Sequence, residues 1–197
     1  MAKSQRRNKH KSLFSAGDDV KSNAMLNYMA DHSWGYADGY FLAAEKLTEY
    51  VVVAQREQDL LIYPICFLYR QALELQLKLI LTKAALTLGR DEDIELNHKL
   101  DRLWALAQKI ICEAWPNEGT HELREIDYVI SEFHRVDPTS QEFRYSKTTK
   151  AKRSLSEITH INLRVLSEKM APVHNLLDGV IMAFDYELDC RADALNL

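Results

Sequence analysis

Apolar residues recur every three or four positions along most of the chain, the spacing of a helix that buries one side. Turn-forming residues are scarce, with only six glycines and four prolines among 197 residues. Asp59 and Ser156 are placed to cap the second and the last predicted helix. The pattern predicts an all-α bundle of five helices, at about residues 39–58, 59–88, 98–115, 120–134 and 156–189. Four of them are main helices, and the helix at 120–134 is a shorter one.

The second predicted helix is apolar on nearly every side, which is typical of a helix at the centre of a bundle. It nevertheless carries Arg70, Glu74 and Lys78 at four-residue spacing, so the three charges share one stripe. Buried charge is costly unless it is paired. The stripe therefore fits one of three arrangements: an internal salt-bridged row, a row answered by Asp137 or Arg144 across the bundle, or a polar cleft that binds a nucleotide or an RNA phosphate.

Residues 136–155 form the longest stretch without helical periodicity, and a loop of this length commonly carries function or is disordered. Basic side chains are concentrated in it: Arg144, Lys147, Lys150, Lys152 and Arg153. These cations are candidates for contacts to RNA, a nucleotide or a protein partner. Tyr145 joins them, because the run Phe143-Arg144-Tyr145 is able either to stack on a base or to pin the loop to the bundle.

The net charge of −4 hides a basic N-terminal end. The first 12 residues contain five of the 25 basic residues and no acidic one, which leaves 20 basic against 29 acidic residues in the remainder. Residues 1–24 are therefore predicted as a basic, disordered arm, and residues 25–197 as one helical-bundle domain.

No metal, cofactor or membrane contact is expected. No apolar run is long enough to cross a bilayer and the first residues lack the apolar segment of a secretion signal, so the sequence favours a cytoplasmic location. The three cysteines have neither disulfide nor metal-site spacing. The histidines do not repeat the paired spacing of helical metal sites.

Three segments, in this order, resemble the HEPN superfamily: YRQALELQLK at 69–78, NHKLDRLW at 97–104 and DPTSQEFRY at 137–145. The resemblance covers about residues 35–190. It implies a small helical bundle, commonly dimeric, of the kind found in prokaryotic toxin–antitoxin and phage-defence systems. Because one fold hosts many activities, the function needs a separate argument from the site.

The ribonucleases of that superfamily carry an arginine followed, after four to six residues, by a histidine, and two such motifs meet at the dimer interface. This chain has Arg153 and His160 with six residues between them, near the predicted start of the last helix. The resemblance implies metal-independent RNA cleavage, with the histidine as acid or base and the arginine on the phosphate. Ser154 departs from the Asn, Asp or His that often follows the arginine in the family.

A homodimer is expected, because the last predicted helix has a second apolar side beyond the one that a single core uses: Ile158, Val165, Leu176, Val180 and Met182. Two functions remain open for this HEPN-like chain in a defence or toxin–antitoxin module. The first is binding of RNA, a nucleotide or a protein partner encoded in the same operon. The second is a metal-independent endoribonuclease using Arg153 and His160, and a purely structural subunit of a larger assembly is a third interpretation.

Overall fold

A computed structural model of the chain describes residues 12–26, 32–89, 97–116 and 120–195. The chain divides into two compact units, Met1–His32 and Ser33–Leu197. In the described part of the first unit, Val20–Ser22 forms one turn of 3-10 helix with exposed side chains. The five basic residues among the first 12 lie outside the described residues.

Five α-helices follow one another in the described part of the second unit: α1 (Ser33–Ala54), α2 (Gln58–Leu88), α3 (Leu100–Ala114), α4 (Thr120–Val136) and α5 (Leu163–Leu195). The described residues contain no β-strand, so the predicted all-α class is confirmed. The helix predicted as the short one, α4, has 17 residues, against 15 in α3. Among the described helices none is long and apolar enough to span a bilayer.

Helix α2 lies at the centre of the unit and packs against α1, α3 and α5. Its buried positions fall on every side, which is what an all-round apolar sequence requires. Pro64 lies in the second turn of the helix, just beyond the first turn whose N–H groups have no helical partner, so its missing N–H removes one helical hydrogen bond. Gly89 ends the helix in the left-handed conformation (φ 60°) and donates its N–H to the carbonyls of Ala85 and Leu86.

Helix α1 begins at Ser33 rather than near Gly39, so it includes residues 33–38, which lie outside the predicted bounds. Gly35 in this segment and Gly39 just after it weaken the local helical preference. A tertiary contact compensates, because the indole Nε1 of Trp34 donates to Asp178 Oδ1 on α5 at 2.9 Å. Local propensity could not show that contact.

The predicted cap at Asp59 is wrong by two residues. Helix α1 stops at Ala54, and a tight connection follows in which Gln55 and Glu57 have positive φ angles of 51° and 64°. Glu57 occupies the N-cap position of α2 without a side-chain capping bond, and Asp59 lies in the first helical turn. Its carboxylate is therefore not used as a cap.

The predicted cap at Ser156 is also wrong, because α5 begins only at Leu163. Asn162 provides the cap: its Oδ1 accepts the backbone N–H groups of Arg164 and Val165, each at 3.1 Å. The backbone before it is irregular, with Leu155 at a positive φ of 52°. The connection from α4 to α5 consequently runs from residue 137 to residue 162 and contains both Arg153 and His160.

Candidate functional site

Part of the connection between α4 and α5 closes on itself as a basic hairpin, defined here as residues 146–154. Its two sides pair through Thr148 N–H to Lys152 O at 2.8 Å and Ser154 N–H to Ser146 O at 3.1 Å. Its four cationic side chains are exposed: Lys147, Lys150, Lys152 and Arg153. None of the four has a hydrogen-bond or ion-pair partner among the residues that the structure describes. The hairpin thus concentrates positive charge that the described part of the protein does not neutralise.

Arg144, which precedes the hairpin, is held between two aromatic rings. Its Cζ lies 5.5 Å from the centroid of the Phe67 ring and 5.1 Å from that of Tyr145. Its Nη2 also donates to the Tyr145 hydroxyl at 3.1 Å. Phe143 is buried, so it pins the loop to the bundle, whereas the Tyr145 side chain remains 52% exposed. Both interpretations of this aromatic run therefore have a geometric basis, each on a different ring.

A cavity of about 390 Å³, called here the arginine cavity, opens beside the hairpin. Arg144, Tyr145 and Arg153 line it together with Tyr63 from α2 and Glu142 from the loop. Three of the residues singled out in the sequence are thus brought to one cavity. Tyr63 had no sequence signal beyond its place on a mostly buried helix, because only the folding of the loop turns it into a wall of the cavity.

His160 lies in a neighbouring cavity of about 200 Å³, called here the histidine cavity. Asp59 and Gln58, from the first turn of α2, line it too. The two cavities share three lining residues, Tyr63, Leu155 and Ile158. Arg153 and His160 therefore face adjacent compartments, on a loop rather than on one face of a helix.

The charged stripe of α2 forms a buried network away from these cavities. Arg70 and Glu74 are fully buried, and Arg70 Nη1 donates to Glu74 Oε2 at 3.0 Å. Glu74 Oε1 accepts from Lys78 Nζ at 2.8 Å and lies 2.7 Å from His98 Nδ1. Asp137 completes the set, with its Oδ2 3.6 Å from Arg70 Nε. Arg70 and Lys78 thus face two carboxylates, those of Glu74 and Asp137, so their formal charges balance.

This geometry combines two of the three arrangements that the sequence left open. The stripe is an internal salt-bridged row, and Asp137 from the end of α4 answers it. Arg70 and Glu74 line neither cavity, and Lys78 keeps 19% of its side chain exposed. Of the three stripe residues, Lys78 alone has a partly exposed side chain.

The network also fixes the path of the loop. Asp137 Oδ1 accepts the backbone N–H groups of Gln141 at 2.7 Å and Glu142 at 3.1 Å. Glu142 Oε2 in turn accepts the backbone N–H of Leu155 at 3.0 Å, just beyond the hairpin. Asp137 therefore holds the loop a few residues before the hairpin, and Glu142 holds the residue just after it.

Burial and hydrogen bonding shift the pKa of Glu74 in opposite directions. Burial alone would raise the pKa of its carboxyl, but the hydrogen bonds from Lys78, His98 and Arg70 and the charge of Lys78 outweigh burial and hold the pKa below its ordinary value. Glu74 therefore favours the ionised form in the folded protein more than it does in the unfolded chain.

Comparisons with models of protein families, with curated proteins and with solved structures found no match to this chain. Among the described residues, no group of three or more His, Cys, Asp or Glu side chains is arranged to hold a metal ion. The chemistry of the site therefore has to be argued from its own residues.

The first prediction concerns the buried network. Glu74→Ala should lower the free energy of unfolding by about 3–5 kcal/mol, because it leaves buried Arg70 without its main carboxylate. Glu49→Ala is a matched control: it removes the carboxylate of an exposed pair with Lys46 and should cost less than about 1 kcal/mol. Urea denaturation of both variants measures the difference. A loss for Glu74→Ala as small as that of the control would show that the network does not stabilise the fold.

The second prediction concerns how the contribution of Glu74 to the stability of the fold depends on pH. Because the folded-state pKa of Glu74 is depressed, its stabilisation is fully present above the ordinary glutamate pKa of about 4.3 and is lost as the pH falls through the folded value. The stability difference between the wild type and Glu74→Gln should therefore shrink on acidification. Urea melts of the two proteins at a series of pH values measure it, and a difference that stays constant with pH would contradict the assignment.

Proposed function

We propose that this chain is a HEPN-like helical protein of a prokaryotic defence or toxin–antitoxin module that binds single-stranded RNA through the basic hairpin and the arginine cavity. One observation carries the proposal: Arg144 and Arg153, from the two sides of the loop, line one cavity together with Tyr63 and Tyr145. The order of sequence motifs supports the HEPN-like class, and a cytoplasmic location is part of the same proposal.

The charge distribution supports an anionic ligand. The segment from residue 143 to residue 156 contains five basic residues and no acidic one, in a chain whose net charge is −4. Contacts to phosphates supply most of the non-specific affinity for nucleic acids and require clustered cations of this kind. In this proposal the arginine cavity binds the phosphate of one nucleotide, and the exposed hairpin lysines contact neighbouring phosphates.

The aromatic side chains favour a single strand over a duplex. Tyr63 and Tyr145 are both about half exposed, at 49% and 52%, and both line the arginine cavity. Exposed rings beside cations stack on bases that are free of a helical partner, as in many RNA-binding surfaces. A single nucleotide would leave Lys147, Lys150 and Lys152 unused, so a strand of several nucleotides fits the surface better.

The third prediction tests this surface by fluorescence anisotropy with a labelled single-stranded RNA of about 10 nucleotides. Arg153→Ala should weaken binding about tenfold or more, because it removes charge-assisted hydrogen bonds from the cavity. Lys150→Ala should weaken binding modestly and reduce the salt dependence by about one phosphate contact. Lys109→Ala on α3, an exposed lysine far along the chain from the hairpin, is the matched control.

Binding that does not weaken with salt, or hairpin variants that bind as well as Lys109→Ala, would contradict the proposal. If the wild-type protein does not bind RNA but co-purifies with an acidic protein that the hairpin variants lose, a protein partner would be favoured instead. Wild-type binding to mononucleotides as tight as to the strand would favour a nucleotide ligand.

A specific observation favours the ribonuclease as the second candidate: Arg153 and His160 line cavities that share a wall of three residues. A phosphate at that wall would lie between an arginine and a histidine, which is the pairing that acid–base cleavage at a 2′-hydroxyl needs. A homodimer is part of this candidate, since the partner subunit would complete the site. Val165 and Met182 on α5 support such a dimer, because they are 53% and 64% exposed.

The fourth prediction separates this candidate from simple binding. If the chain is a ribonuclease, purified protein cuts RNA in the presence of a chelator, leaves 2′,3′-cyclic phosphate ends and loses activity in His160→Ala. His121→Ala, an exposed histidine on α4, is the control. Light scattering on the same samples should give the mass of a dimer. Cleavage that survives His160→Ala, or that stops with chelator, would rule out this mechanism.

A further inference from the structure

We propose that the histidine cavity is a base-recognition pocket that selects guanine, with Asp59 reading the base; this inference rests on the proposed RNA-binding function. The pocket lies directly beside the arginine cavity, and the two share Tyr63, Leu155 and Ile158. One nucleotide can therefore place its phosphate against the arginines and its base in the second compartment.

A phosphate requires cationic side chains and a base does not, and the linings of the two cavities differ in this respect. The arginine cavity has Arg144 and Arg153 among its lining residues, whereas the histidine cavity has no cationic lysine or arginine. The histidine cavity instead combines apolar side chains, such as Ile62 and Leu163, with a few polar groups. Flat bases bind in mostly apolar pockets in which a few placed polar groups fix orientation and identity.

Asp59 is the group that points to a specific base. Its carboxylate lines the histidine cavity, and it has no hydrogen-bond or ion-pair partner among the described residues. The structure does not use it as a helix cap, since Glu57 takes that position. Asp59 lies in the first turn of α2, where a carboxylate interacts favourably with the helix dipole, and its exposed side chain leaves two oxygens available as acceptors at the wall of the cavity.

Guanine matches such an acceptor best among the four RNA bases. Its Watson–Crick edge presents two neighbouring donors, the ring N1–H and the exocyclic amino group, which together face both oxygens of one carboxylate. Adenine and cytosine present a single amino group beside a ring acceptor, and uracil presents one N–H between two carbonyl oxygens that a carboxylate repels. Gln58 and Thr159 line the same cavity and supply further hydrogen-bonding groups for the remaining base atoms.

Tyr63 gives the pocket its stacking surface. It lies in the shared wall and is 49% exposed, so its ring is available to a base that leaves the strand. Together the cavities, at about 390 and about 200 Å³, fall within the range of about 300–1,000 Å³ that is usual for small-ligand sites.

The fifth prediction is tested with four labelled RNA strands of about 10 nucleotides: all-uridine, and the same strand with one central guanosine, adenosine or cytidine. The wild-type protein should bind the guanosine strand about 10-fold more tightly than the all-uridine strand, since one bidentate base contact is worth this much discrimination. In Asp59→Asn the ratio of the two affinities should fall to near one, because the amide replaces one acceptor with a donor.

The ratio, rather than the affinity itself, is the readout, since removing any negative charge strengthens binding to RNA. Glu49→Gln removes an exposed carboxylate on α1 and should leave the ratio unchanged. Equal wild-type affinity for all four strands, or a guanosine preference that persists in Asp59→Asn, would overturn the inference while hairpin-dependent binding upholds the proposed function. Absence of binding to every strand would overturn both. The wild-type comparison decides the matter even if Asp59→Asn folds poorly.

Discussion

The guanidinium of Arg70 is the interaction on which the rest of the structure depends, because it joins three parts of the chain at one buried point. Its Nη1 donates to Glu74 on its own helix, its Nη2 to the carbonyl of His98 before α3, and its Nε to the carbonyl of Asp137 after α4. Each bond uses a different nitrogen, so losing one element leaves a buried donor unsatisfied. The planar geometry of arginine suits this role, whereas a lysine would offer a single point charge.

The charges around the loop form two groups, a buried network that includes Arg70 and the exposed cations of the hairpin. Charges inside the bundle are neutralised by one another, and their arrangement determines where the loop begins. Charges on the hairpin have no partner among the described residues, and Asp137 and Glu142 bond the loop before the hairpin and the residue just after it. A buried network of paired charges thus helps to position the loop that carries the unpaired cations. This is the arrangement that binding needs, since a cation already positioned loses less entropy when the ligand arrives.

The sequence predicts the elements that depend on local periodicity and misses those that depend on the path of the loop. The spacing of Arg70, Glu74 and Lys78 indicated a shared stripe, and Asp137 was among the residues expected to answer it. The carbonyl of His98 could not be foreseen, because any residue has a carbonyl. Ser156 and Asn162 are both competent caps, and only the contacts that hold the loop in an irregular path select Asn162. Those contacts connect residues distant in sequence, such as Glu142 and Leu155.

The late start of α5 decides how the arginine and histidine of the motif can act together. If the helix began at Ser156, His160 would lie in its first turns, a few residues after Arg153. The backbone before Leu163 is instead irregular, and Leu155 and Ile158 lie between the two cavities. Binding needs only that each cavity holds its own part of the ligand, whereas cleavage needs Arg153 and His160 to reach one phosphate. The geometry of a single chain therefore meets the requirement of the proposed binding. Cleavage requires the phosphate at the shared wall, or a partner subunit that brings its own histidine to the arginine cavity.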